Sequence, residues 1–138
     1  MNERYSLTFP QQNIWLEDRL YGNSKVNLIT GIININKGFN VDYCKKAINN
    51  IIKSNDAMRI HLYTNDNKPY QNVEEYLYSN IEVVKVGNEK NKIEYINKFK
   101  AENIDIQNDK LYFFKILDYN NDKGSVLLKM HHIISDAW

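Results

Sequence analysis

The residues best equipped for chemistry follow the apolar run Val126-Leu127-Leu128-Lys129-Met130: two adjacent histidines, His131 and His132, with Asp136 four positions beyond the second ring. An imidazole titrates near neutrality, so its uncharged form can take up a proton during a reaction. Strand geometry sends alternate side chains to opposite faces, which puts His132 with Val126, Leu128 and Met130 and sends His131 the other way with Lys129. One ring therefore points where the core points. A histidine on an apolar face is commonly a hydrogen-bonded structural residue, so the pair alone does not establish catalysis. The same alternation argues against a shared metal ion. Neighbouring strand residues diverge, and no further Cys/His cluster completes a coordination shell.

The elements that must position these rings fit in one domain of 138 residues, with 43% hydrophobic and 25% charged residues. That balance excludes disorder, and no apolar stretch approaches the length of a membrane span. Met1-Asn2-Glu3-Arg4 does not lead into a signal-peptide core. A net charge of +1, with both signs interspersed, gives no electrostatic case for nucleic acid or an anionic membrane. The single cysteine, Cys44, makes no intramolecular disulfide and fits a reducing cytosol, so a cytoplasmic location is expected. Its spacing with Ala47, Ile48, Ile51 and Ile52 marks it as part of a buried helix stripe.

Pro10 suits the first turn of a helix running to about Tyr21, capped by Thr8 and ended by Gly22 and Asn23. Residues 28–36 read as a strand and 41–54 as a second helix. Strands near 58–63 and 68–73, joined by Thr64-Asn65-Asp66-Asn67, form a hairpin. Residues 81–86 are a further strand, and 89–103 carry Ile93, Ile96 and Phe99 at helical spacing. A last pair, 111–117 and the run ending at the histidines, flanks the turn signal Asn120-Asn121-Asp122-Lys123-Gly124. The order α, β, α, β, β, β, α, β, β predicts an α+β class: a mixed, mostly antiparallel sheet with helices packed mainly on one face.

The segment His131-His132-Ile133-Ile134-Ser135-Asp136-Ala137 resembles the HHxxxDG signature of condensation domains from nonribosomal peptide synthetases. Two earlier segments agree. Thr8-Phe9-Pro10-Gln11-Gln12-Asn13-Ile14-Trp15 is similar to the family's SxAQxRLW motif, matching at Gln11 and Trp15, with Asn13 in place of its arginine. Ser54 to Leu62 is similar to RHExLRTxF and keeps Arg59. The three occur in family order. The glycine of the signature is Ala137 here, and a methyl group at that point would narrow a passage beside the reacting carbonyl.

The resemblance implies a fold like chloramphenicol acetyltransferase, in which two similar lobes enclose a tunnel, with residues 1–138 as the N-terminal lobe and the C-terminal lobe absent from this chain. It implies amide formation between substrates tethered as thioesters to carrier proteins. His132 would be the catalytic histidine and His131 a hydrogen-bonded support. Asp136 would hold an arginine in a structural ion pair, Arg59 being the candidate. No cofactor is expected on the lobe itself, because the substrates arrive on the 4′-phosphopantetheine arms of carrier-protein domains. The partners implied are those carrier domains and the C-terminal lobe, with self-association of the chain as another way to close the cleft. Two alternatives stay open: a related acyltransferase acting on a hydroxyl, and an inactive lobe that docks carrier proteins.

Overall fold

The computed structural model describes residues 4–22 and 25–135. Strand β1 (Tyr5–Ser6) leads into helix α1 (Phe9–Tyr21). Pro10 occupies the first turn, and the Gln11 side chain turns back to accept the Thr8 N–H at 2.9 Å, satisfying a donor that the helix leaves orphaned. At the other end Gly22, with φ +56°, donates to the Asp18 carbonyl at 3.0 Å. The expected companion stop residue, Asn23, lies outside the described residues.

Strand β2 (Leu28–Ile35) precedes α2 (Val41–Ser54), where the Asn40 side chain caps the Tyr43 N–H at 2.9 Å. A 3-10 turn at Asp56–Arg59 feeds the hairpin of β3 (Ile60–Asn65) and β4 (Lys68–Val73). Its two turn residues, Asp66 and Asn67, sit at φ +49° and +61°, the left-handed geometry that two-residue hairpin loops require and that Asp and Asn tolerate. Then come β5 (Glu82–Lys85), α3 (Glu89–Ala101), β6 (Tyr112–Asp118) and β7 (Gly124–His131).

The strands divide into two sheets, β1-β4-β3 and β2-β7-β6-β5. Every pairing is antiparallel except β5 with β6, and α3 supplies the crossover that a parallel pair needs. The helices do not share one face of the larger sheet. Ile48 and Ile52 of α2 pack with Ile116 and Val126, while Phe99 of α3 packs with Leu117 and Leu127. Consecutive residues of β6 and β7 thus serve opposite helices, as the period of two demands. Helix α1 closes a third cluster, where Trp15 meets Leu7, Leu62, Leu111 and Ile133 between the two sheets.

Two buried polar side chains fasten the irregular parts of this frame. Asn49 of α2 donates to the Lys45 and Ser79 carbonyls, both at 3.0 Å, and accepts from Ser79 N–H and Tyr76 Oη, tying down the segment before β5. We expect Asn49→Ala to cost about 2 kcal/mol, because it strands buried groups on the partner segment. A urea unfolding midpoint equal to that of the parent would refute this. Lys129 of β7 is fully buried, and its ammonium donates to the Phe99 and Glu102 carbonyls at the end of α3.

Candidate active site

Strand β7 keeps its alternation to its last residue. Ser125, Leu127, Lys129 and His131 form the sealed face, at most 1% exposed. The strand ends there, with the His131 N–H held by the Leu111 carbonyl at 2.8 Å, and the backbone enters a single 3-10 turn at His132–Ile134. His131 is therefore the ring sunk in the interior, and it lies with Lys129 as the alternation predicted. His132 has left the ladder. It stands half-buried on the turn, beyond the strand alternation that grouped it with Val126 and Met130.

The His131 ring is gripped on both sides. Its Nδ1 accepts the Ile133 N–H at 3.2 Å, and its Nε2 lies 3.5 Å from Asp18 Oδ1, within ion-pair range but outside strict hydrogen-bond geometry. Burial pushes the ring below its ordinary value of 6.5, Asp18 opposes that shift, and His132 adds to it. Among the titratable groups of the described residues, Asp18 and His132 are the ones that act on it. A folded-state value below the unfolded one means that stability is complete above about pH 6.5 and falls as the pH drops toward the folded value, since the unfolded ring takes up its proton first. We expect urea unfolding to show this loss below pH 6.5 and a His131→Gln variant to lack that part of the slope. An identical slope in the variant would contradict the assignment.

His132 lines an open groove of about 600 Å³ together with Thr8, Gln11, Asn13, Ile60, Gln71 and Ser135. Three separate parts of the chain meet there through one pair of amides. Gln11 Nε2 donates to Gln71 Oε1 at 2.9 Å and to the Ile133 carbonyl at 3.2 Å, and Gln71 Nε2 returns a bond to Gln11 Oε1 at 3.0 Å. Helix α1, strand β4 and the histidine turn are clamped together in this way. The His132 Nδ1 is buried and has no hydrogen-bond partner among the described residues. An imidazole fixed by its backbone on a groove wall can take up a proton from, or steady charge on, a molecule lying in the groove.

Arg59 stands elsewhere. Its Nη1 donates to the Glu74 carbonyl at 3.1 Å, its Nη2 pairs with Asp56, and it lines a separate cavity of about 180 Å³ with His61 and Glu74. Asp136 and Ala137 lie outside the described residues. The two histidines diverge, one toward Asp18 and one toward the groove, and among the described residues no group of three or more His, Cys, Asp or Glu could hold a metal ion. Sequence reasoning missed Gln71 and Asp18. A signal for Asp18 exists: it follows Trp15 by three positions and Gln11 by seven, so an acid lies on the buried stripe of α1.

A family model described as "Condensation domain" matches residues 1–138. The chain belongs to the condensation-domain family. It is 27% identical over 140 residues to surfactin synthase subunit 1 of Bacillus subtilis (strain 168), covering 96% of this chain and 4% of that protein. Among solved structures it is similar to the starter condensation domain of rhizomide synthetase, with TM-score 0.84 and 19% identity over 97% of this chain and 35% of that one. It is also similar to the holo form of a four-domain nonribosomal peptide synthetase, with TM-score 0.81 and 15% identity over 99% of this chain and 11% of that one. The fold is the α+β, chloramphenicol acetyltransferase-like lobe that the motifs implied. The chain spans far less than the length of these relatives. No described helix of this condensation-domain chain is long and apolar enough to cross a membrane.

Proposed function

We propose that the chain serves as the N-terminal lobe of an amide-forming condensation domain, working in the cytoplasm with a C-terminal lobe that covers the groove. The single observation that carries this is the placement of His132 on the wall of an open groove, not within the core. The substrates are a donor thioester and an amine-bearing acceptor, each on the 4′-phosphopantetheine arm of a carrier protein, and the lobe itself holds no cofactor. The acceptor nitrogen attacks the donor carbonyl, forming the C–N bond and then expelling the thiolate as the C–S bond breaks. His132 takes the proton that the nitrogen loses, and that proton goes on to the departing sulfur. Asp136 would hold a structural ion pair, with Arg59 as the candidate partner. Arg59 has a buried Nε with no partner among the described residues, which leaves a donor for it.

The test joins this chain to a C-terminal lobe and supplies two loaded carrier proteins. The expected product is an acceptor-bound amide found by mass spectrometry. Ester formation on a hydroxyl acceptor, or carrier binding without any product, would overturn the proposal in favour of the hydroxyl acyltransferase or the inactive docking lobe.

A further inference from the structure

Gln11, Trp15 and Asp18 follow one another at spacings of four and three along α1, which puts them on one face of the helix. That face meets the end of β7 and the turn after it. Asp18 is only 7% exposed, and a carboxylate this deep requires a compensating partner. The His131 ring supplies one, with Nε2 at 3.5 Å. On the far side of the ring Nδ1 accepts the Ile133 N–H at 3.2 Å. A backbone N–H can only donate, so Nδ1 carries no proton and the ring hydrogen sits on Nε2, facing the carboxylate.

We propose that Asp18 is a positioning residue: it holds His131 in the Nε2–H tautomer and so keeps Nδ1 free to pin the turn that presents His132 to the groove. His131, at 1% exposure, reaches no substrate and works as a strut. The turn is held at one residue by both of its polar groups, since His131 takes the Ile133 N–H while Gln11 takes the Ile133 carbonyl at 3.2 Å. Helix α1 therefore governs the turn twice, directly through Gln11 and indirectly through Asp18. For its kinetic consequence the proposal rests on His132 acting in the groove; its structural content does not.

Side-chain ¹⁵N NMR of the chain reads the tautomer directly. At neutral pH His131 is expected to be protonated on Nε2 and bare on Nδ1. In Asp18→Ala the two tautomers mix and the Ile133 amide exchanges about tenfold faster, as expected for loss of one hydrogen bond. Asp18→Asn can still present a carbonyl oxygen to Nε2–H and restores the parent pattern. If Asp18 merely filled space, the tautomer would stay put in both variants. A parent His131 protonated on Nδ1 overturns the proposal without any variant, as does a folded Asp18→Ala protein with parental tautomer and parental exchange. In the two-lobe protein Asp18→Ala should lower kcat about tenfold with KM unchanged. If the NMR results hold and kcat does not move, it is the role of His132 in the groove that fails, not the strut.

Discussion

His132→Ala in the two-lobe protein is expected to lower the rate of amide formation by about 10²–10⁴-fold, the usual range for a group that moves a proton in the rate-determining step. The fold should survive. His132 is half-buried on a turn held by Gln11 and His131 instead of by its own ring, and its Nδ1 makes no hydrogen bond to any described residue. Loss of the ring therefore removes chemistry and little packing. The measurement is single-turnover amide formation from preloaded carriers, with unfolding by urea run in parallel. A rate within a factor of about three of the parent, in a protein of parental stability, would remove His132 from the mechanism. His132→Asn separates two contributions: an amide can steady an amine but takes up no proton near neutrality, so rescue by Asn would assign the residue to positioning.

Lys129→Ala should be the most destabilising single change in the larger sheet, at about 3–5 kcal/mol, because it deletes a fully buried side chain and two charge-assisted hydrogen bonds together. The two carbonyls that it serves, Phe99 and Glu102, belong to the last turn and cap of α3, where a helix has no partners of its own to offer. Its ammonium also lies 4.9 Å from the centre of the Phe99 ring. Burial pushes this lysine below its usual value while the Glu102 charge opposes the shift. Glu102 spends its carboxylate on Lys115 at 3.0 Å, which leaves the backbone oxygen for Lys129. Lys129→Met, which keeps the stem and loses the donors, should cost about 1–3 kcal/mol. Equal unfolding midpoints for the parent and the alanine variant would show that the cap contributes nothing.

The local elements were legible in the sequence because their signals are local. Thr8 and Pro10 start α1, Ile48 and Ile52 define the face of α2, and Asn120, Asn121 and Asp122 adopt the three positive φ angles of the final turn. The division into two sheets was not legible. Strand β1 has two residues, too few for any periodicity, and β2 pairs with β7 from Leu28↔His131 to Ile35↔Gly124, a long-range choice that no local signal encodes. The alternation placed Lys129 only with His131, on the face opposite Val126 and Met130. Its burial follows from the need of α3 for a donor, which exists only after the crossover lays that helix on this face. The same holds for the helix placement: one face was expected, and consecutive apolar residues such as Ile116 and Leu117 instead supply two.

Within the site, the two histidines and Gln11 were visible through motif matches, but the side on which His132 lies was not. The alternation was carried one residue too far. The ladder stops at His131, so the period of two no longer decides where His132 points once the backbone enters the 3-10 turn. Gln71 had no signal at all, since a glutamine in a short hairpin strand looks solvated until α1 packs beside it.

The amide clamp also sets an order of events. Gln11 reaches across 60 positions to Gln71 and across 122 to Ile133, so the groove exists only after two long-range chain closures. Hairpins and helices can come and go long before then. Refolding followed at the Ile133 amide should lag behind refolding followed by helical signal, which makes catalytic competence a late acquisition in the history of each molecule.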